Sequence, residues 1–284
     1  MIWTVLLSLH LVGLVAYTIL LRKSALSSVN KYALAAIMQT AIQVPAITFI
    51  FLGKVSFSYS PIEWITLLGS SIFLVGVHLL SIAALKHLEA SQWTIIFNLR
   101  LFLTTIFGYL FLHELPSSLQ LVGGFIIFVS IVLLNLHKNK AWKEKPILIG
   151  LFTTLWFSAH ATLEKYNVVS IGFEDYMVVA GLISTALLWG IAVKKGVNRK
   201  LIRQTVDLHT LRLLFFRALS AWAYVYALKF GSLAVTNYVS GMSVVVIVVL
   251  GITVLHENKY LRQKIIATTT AIIGLTLILI SKLQ

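Results

Sequence analysis

Two arginines in this chain stand where arginine is costly. Arg100 and Arg217 each fall inside a long apolar stretch rather than between two of them. Arg100 lies about nine residues into the stretch 91–112, which at about 1.5 Å per residue puts it roughly 13 Å deep, close to the midplane of a ~30 Å hydrocarbon layer. A charge at that depth costs at least ~2.5–3.5 kcal/mol and normally faces a cavity or a partner. Arg217, about eight residues into 209–228, has comparable depth by the same arithmetic. A guanidinium is a planar fork that matches carboxylate or phosphate two bonds at a time. Two at one level would make an anion clamp. The plain alternative is that either one snorkels to an interface or bonds a helix-end carbonyl.

Other candidates gather around these two. Thr94 and Asn98 stand four apart and share a helix face with access to Arg100. Trp156, His160 and Glu164 recur at i, i+4 and i+8, with His160 suited to bind substrate or relay protons and Glu164 to gate or couple near one end. His78 is a weaker coupling candidate, as is His10. Asn237 and Tyr238 open a run continued by Ser240, Gly241 and Ser243, small and polar enough for close packing or a wet cavity. Gln39 and Gln43 precede Pro45 and are expected to satisfy backbone groups that the proline frees. The pairs His113-Glu114 and His256-Glu257 have no second histidine four residues after the first, so they are not metalloprotease motifs and read as turns. With no cysteine and no nucleophile set, no catalytic residue, metal or cofactor is expected.

The elements that must position these residues are membrane helices. The chain is 59% hydrophobic and 11% charged, too few charges to cover a soluble protein of 284 residues. Apolar stretches near 2–21, 32–53, 62–84, 91–112, 118–136, 146–166, 175–193, 209–228, 233–255 and 262–281 give ten transmembrane helices. The first carries no basic leader segment and no convincing cleavage site, so it reads as a span rather than a signal peptide. The formal net charge of +14 reads as loop basicity facing an anionic leaflet rather than as nucleic-acid binding.

One stretch occurs twice. Ala84-Leu85-Lys86, Leu112-His113-Glu114, Gly108 and Gln120 recur without a gap as Ala227-Leu228-Lys229, Leu255-His256-Glu257, Gly251 and Gln263, all 143 positions on. The fold expected is therefore all-α and polytopic, with residues 1–137 and 146–284 as two five-helix repeats joined by a cytoplasmic loop at 138–145. Five is odd, so the second repeat enters the membrane inverted. The offset also sets Tyr17 opposite His160. Seventeen basic residues lie in loops after odd spans and four on the other face, which puts both termini outside.

Ten helices in two halves, each closing its fourth helix with a Leu-x-Glu element and followed by Gln120 or Gln263, resemble the EamA-type transporters of the drug/metabolite transporter superfamily. The resemblance covers essentially the whole chain and implies secondary transport or exchange of small metabolites through a cavity between the halves, lined mainly by helices 1, 3, 4, 6, 8 and 9. Members often carry a proline in the fourth helix, where this chain has Asn98-Leu99-Arg100, and usually keep both termini in the cytoplasm.

The expected function is transport of a small organic solute with an anionic group by alternating access, and not an enzymatic one. A flippase for a polyprenyl-phosphate substrate is the alternative, and a membrane-embedded transferase using His160 and Glu164 a third. Expected partners are the solute and the lipid bilayer, with no nucleic acid and a monomeric or weakly dimeric state, in a bacterial plasma membrane.

Overall fold

The structure is a computed structural model that describes residues 2–27, 30–135, 145–257 and 259–280. Its spans are α1 (Ile2–Leu26), α2 (Lys31–Ala46, resumed at Thr48–Phe51), α3 (Pro61–His87), α4 (Ala90–Phe97 and Leu99–Leu112) and α5 (Ser118–Asn135). The second set is α6 (Lys145–Ser170), α7 (Phe173–Lys194), α8 (Leu208–Leu228), α9 (Leu233–Gly241 and Ser243–Thr253) and α10 (Leu261–Ile280). Among the described residues nine of these are long and apolar enough to cross a membrane, and α5 is an apolar helix laid along α10. Large apolar side chains such as Phe51, Phe111, Phe125 and Phe215 face outward, a surface that only lipid covers well. The predicted connecting loop lies outside the described residues from 138 to 144.

Local chemistry sets the helix ends. Ser60 caps α3 in a reciprocal box with Glu63, and Pro61 takes the first helical position. Asn30, Ser232 and Asp207 accept first-turn N–H groups of α2, α9 and α8. The segment before α3 is tied down by Asp175 in the first turn of α7, which accepts from Ser56 N–H and Oγ, each at 3.0 Å, and from the Tyr59 hydroxyl. Burial, then that carboxylate, pushes the Tyr59 phenol well above its ordinary range.

The packing repeats as the sequence does. α2 packs on α7 and α5 on α10, each the counterpart of the other; α1 packs on α8 as α6 packs on α3. Adding five to each helix number maps this set of pairs onto itself, which is the signature of a two-fold relation between the halves. α4 breaks at Asn98 and α9 at Met242, so a chain without the family's proline still interrupts both helices at matching places. His113, directly after α4, and His256, three residues past the end of α9, take the same left-handed conformation, φ 55° and 54°. Glu114 and Glu257 then bond back to Gly108 and Gly251 carbonyls at 3.0 Å. These pairs are turns, as expected.

Close helix approaches use glycine. A Cβ on Gly123 would stand 2.5 Å from the Gly274 carbonyl oxygen, and one on Gly274 2.6 Å from that of Gly123, so α5 and α10 meet backbone to backbone. Gly13 of α1 abuts Ser220 of α8 in the same way. The position equivalent to Gly13 in the second half is Trp156, and there the space is made by Gly76 of α3, where a Cβ would meet the indole Nε1 at 2.1 Å.

Candidate functional site

Between the halves lies a cavity of about 120 Å³. By the same measure one water needs roughly 10–15 Å³, so the space admits a small organic molecule and not a macromolecule. Several of its lining residues come in pairs 143 apart: Leu14 and Phe157, Tyr17 and His160, Leu74 and Arg217, Val77 and Ser220, Ser81 and Tyr224, Arg100 and Ser243. The cavity therefore sits on the pseudo-two-fold relation, while the paired chemistries differ. One wall's arginine faces the other wall's serine or leucine.

Arg100 enters from just past the break in α4. Its guanidinium lies between the rings of Phe97 at 4.8 Å and Phe157 at 5.3 Å, and the residue is 3% exposed. Arg217 of α8 stacks over Tyr17 of α1 at 5.2 Å. In both arginines Nε is buried with no hydrogen-bond partner. Among the described residues no carboxylate stands within 4.0 Å of either, the ion pairs there being Arg22–Glu257, His160–Glu164 and Lys264–Glu89.

A second polar group occupies the α6–α7 side. Glu164 accepts from the Tyr176 hydroxyl at 3.2 Å and lies 3.7 Å from His160 Nε2. Tyr176 reaches Ser70 Oγ at 3.0 Å, and His160 Nδ1 reaches the same Ser70 at both Oγ and carbonyl. His10 is fully engaged by Ser220 and Ser240.

Arg100, Asn98, Thr94, Arg217, Tyr17, His160 and Glu164 are thus brought to one cavity. Trp156, Asn237, Tyr238 and His78 are not among its lining residues. Trp156 fills the gap over Gly76 and packs edge-on to Phe73, because the equivalent of a glycine contact has to be filled by something. Asn237 bonds the Leu233 carbonyl within α9, and Tyr238 bonds Thr105 of α4, both in helix contacts. His78 donates to or accepts from Gln39, which itself lines the cavity. Gln39 and Gln43 do not serve the backbone around Pro45. Gln39 bonds Ser184 and Gln43 the Val178 carbonyl, both across to α7, since α2 continues past the proline with Ile47 N–H on the Gln43 carbonyl.

Sequence reasoning passed over Trp93, Phe97, Phe157, Tyr176 and Tyr224. One signal was available: Arg217, Ser220, Ala221 and Tyr224 recur at helical spacing on α8, so a stripe through Arg217 includes Tyr224.

The family model for EamA-like transporters matches residues 2–136. Residues 2–136 are an EamA domain. That first part of the chain is accordingly of EamA type, within the drug/metabolite transporter superfamily, which together with the apolar helices makes this a multi-pass membrane protein and points to transport of small solutes. A solved structure described as "Crystal structure of protein" superposes on this transporter with a TM-score of 0.71 at 16% identity, covering 97% of this chain and 96% of that one. At that identity the likeness speaks for the fold. No curated protein matches the transporter.

Proposed function

We propose that the transporter carries a small organic solute with an anionic group, held between Arg100 and Arg217 and moved by alternating access of the central cavity. One observation carries this reading: two guanidiniums border one cavity, each with an unpartnered Nε and, among the described residues, neither with a carboxylate within 4.0 Å. A buried cation without a partner costs several kcal/mol, and a bound anion removes that cost in the way a resident carboxylate would. The Phe97 and Phe157 rings hold the Arg100 guanidinium and the Tyr17 ring that of Arg217 by cation–π contact, which uses none of their N–H donors. His160 and Glu164, on the facing wall, are placed to hold a cationic or protonated group of the solute or to couple its movement to a proton. Asn98 and Thr94 border Arg100. The inverted halves support rocking about the cavity. The loop charge bias supports a bacterial plasma-membrane orientation with both termini outside.

The test is thermal stabilisation of the detergent-purified protein over a panel of organic anions, zwitterions and cations. A bound ligand raises the melting temperature in proportion to the logarithm of its concentration above Kd. Anions or zwitterions are expected to stabilise and cations of the same size not to. Stabilisation by cations alone overturns the reading.

A further inference from the structure

Arg22 and Lys165 are 143 positions apart and do the same thing at opposite ends of the molecule. Arg22, near the end of α1, donates to the Leu85 carbonyl at the end of α3; Lys165, near the end of α6, donates to the Leu228 carbonyl at the end of α8, at 2.6 Å. Leu85 and Leu228 are themselves 143 apart. Beside each cation stands the glutamate that follows α4 or α9, and each glutamate caps a helix of the other half. Glu257 accepts from Ala90 N–H at the start of α4 at 2.8 Å, and Glu114 from Leu233 N–H at the start of α9 at 3.0 Å. Successive spans alternate direction, so the two sites lie on opposite membrane faces, with the cavity between.

The two sites are not in the same state. Glu257 is 6% exposed and also accepts from Arg22 Nε at 3.2 Å, Ser91 N–H at 3.2 Å and Ser91 Oγ at 3.1 Å. Lys264 reinforces it, donating to the Glu257 carbonyl at 2.6 Å and pairing with Glu89. At the other end Glu114 Oε2 is buried without a partner, and Lys165 spends its donors on the Leu228 and Gly231 carbonyls rather than on Glu114.

We infer that Arg22–Glu257 and Lys165–Glu114 are the two gates of the transporter, the first fastened and the second released in this conformation, and that they exchange states as the cavity changes sides. The inference rests on the alternating-access reading above. Each gate joins the ends of helices from both halves, so one half cannot rock against the other without parting it. A buried charge pair is a two-state contact: it is made in good geometry or it is abandoned with both groups rehydrated.

The chain has no native cysteine, so a single cysteine at Ala221, which lines the cavity, reports access. Labelling by 2-sulfonatoethyl methanethiosulfonate, which does not cross membranes, is measured in vesicles of both orientations, with Gln204→Cys marking the basic-loop face. Faster labelling from the Glu114 face is expected in the parent. Glu257→Gln and Arg22→Gln should raise labelling from the basic-loop face on the order of tenfold, by the population shift that loss of one charged contact brings. Glu114→Gln should not raise it. If the glutamine variants do not fold, Arg22→Lys, which keeps the charge and loses the fork, should give a smaller rise in the same direction. One-sided labelling that switches on ligand addition but is indifferent to every change at Arg22 and Glu257 overturns the gate assignment and leaves alternating access standing. Equal labelling from both faces in the parent, or none from either, overturns alternating access and the gates with it.

Discussion

Glu114 and Glu257 each close the first turn of a helix in the opposite half: Leu233 N–H reaches Glu114 Oε1 at 3.0 Å and Ala90 N–H reaches Glu257 Oε1 at 2.8 Å. Donor and acceptor numbers both shift by 143 between the two contacts. A carboxylate at a helix N-terminus satisfies orphan donors and meets the positive end of the dipole, so each repeat adds a cap to a helix of the other.

The loading of the two caps differs, and stability should show it. Glu257→Ala strips partners from Arg22, Ala90 and Ser91, and breaking a buried charge pair costs roughly 3–5 kcal/mol. Glu114→Ala removes a single N–H acceptor from a half-buried site, worth about 1 kcal/mol. Melting temperatures in one detergent decide it; equal losses for the two variants would contradict the asymmetry.

At the α5–α10 crossing, Gly274→Val should lower the melting temperature by several degrees, because a Cβ there would stand 2.6 Å from the Gly123 carbonyl oxygen, a backbone atom with no rotamer to yield, and 2.9 Å from the Ile127 side chain. Gly190→Val, where a Cβ meets nothing within 4 Å, is the matched control and should cost little. Similar losses at both positions would argue that the two helices do not meet backbone to backbone.

Orientation is open to direct labelling. Single cysteines at Ser58, in the loop before α3, and at Gln204, in the short helix Arg199–Thr205, lie on opposite faces. The loop charges predict that an impermeant maleimide reaches Ser58→Cys from outside and Gln204→Cys only after the cytoplasmic face is opened. The reverse result would turn the molecule over without altering its cavity.

The ten spans, the inverted repeat and Arg100 were legible because each is a local or periodic signal: an apolar run, a repeated triplet, a charge in the wrong solvent. What the sequence hid depends on contacts far apart in the chain. Arg22 and Lys264 count as loop charges by position, yet both are buried in ion pairs, Arg22 with a residue 235 positions away. Trp156 shares a helical stripe with His160 and Glu164 but turns to Gly76, since a glycine on a neighbouring helix is a hole that periodicity does not reveal. Gln39 and Gln43 bond α7 for the same reason: a local proline suggested a local need, and the partner was a helix some 140 residues on.

The most direct measurement is the affinity of Arg100 variants for the best-stabilising anion or zwitterion. A charge-assisted hydrogen bond is worth about 1.5–3 kcal/mol, or roughly ten- to hundredfold in Kd. Arg100→Ala should weaken binding by at least that much while the protein stays folded, since in the free state the guanidinium Nε has no protein partner to lose. Arg100→Lys, which keeps the charge without the planar fork, should recover only part of the loss, and Arg217→Ala should weaken binding less than Arg100→Ala, because Arg217 is the more exposed of the two. Unchanged affinity in a folded Arg100→Ala protein would contradict the anion site.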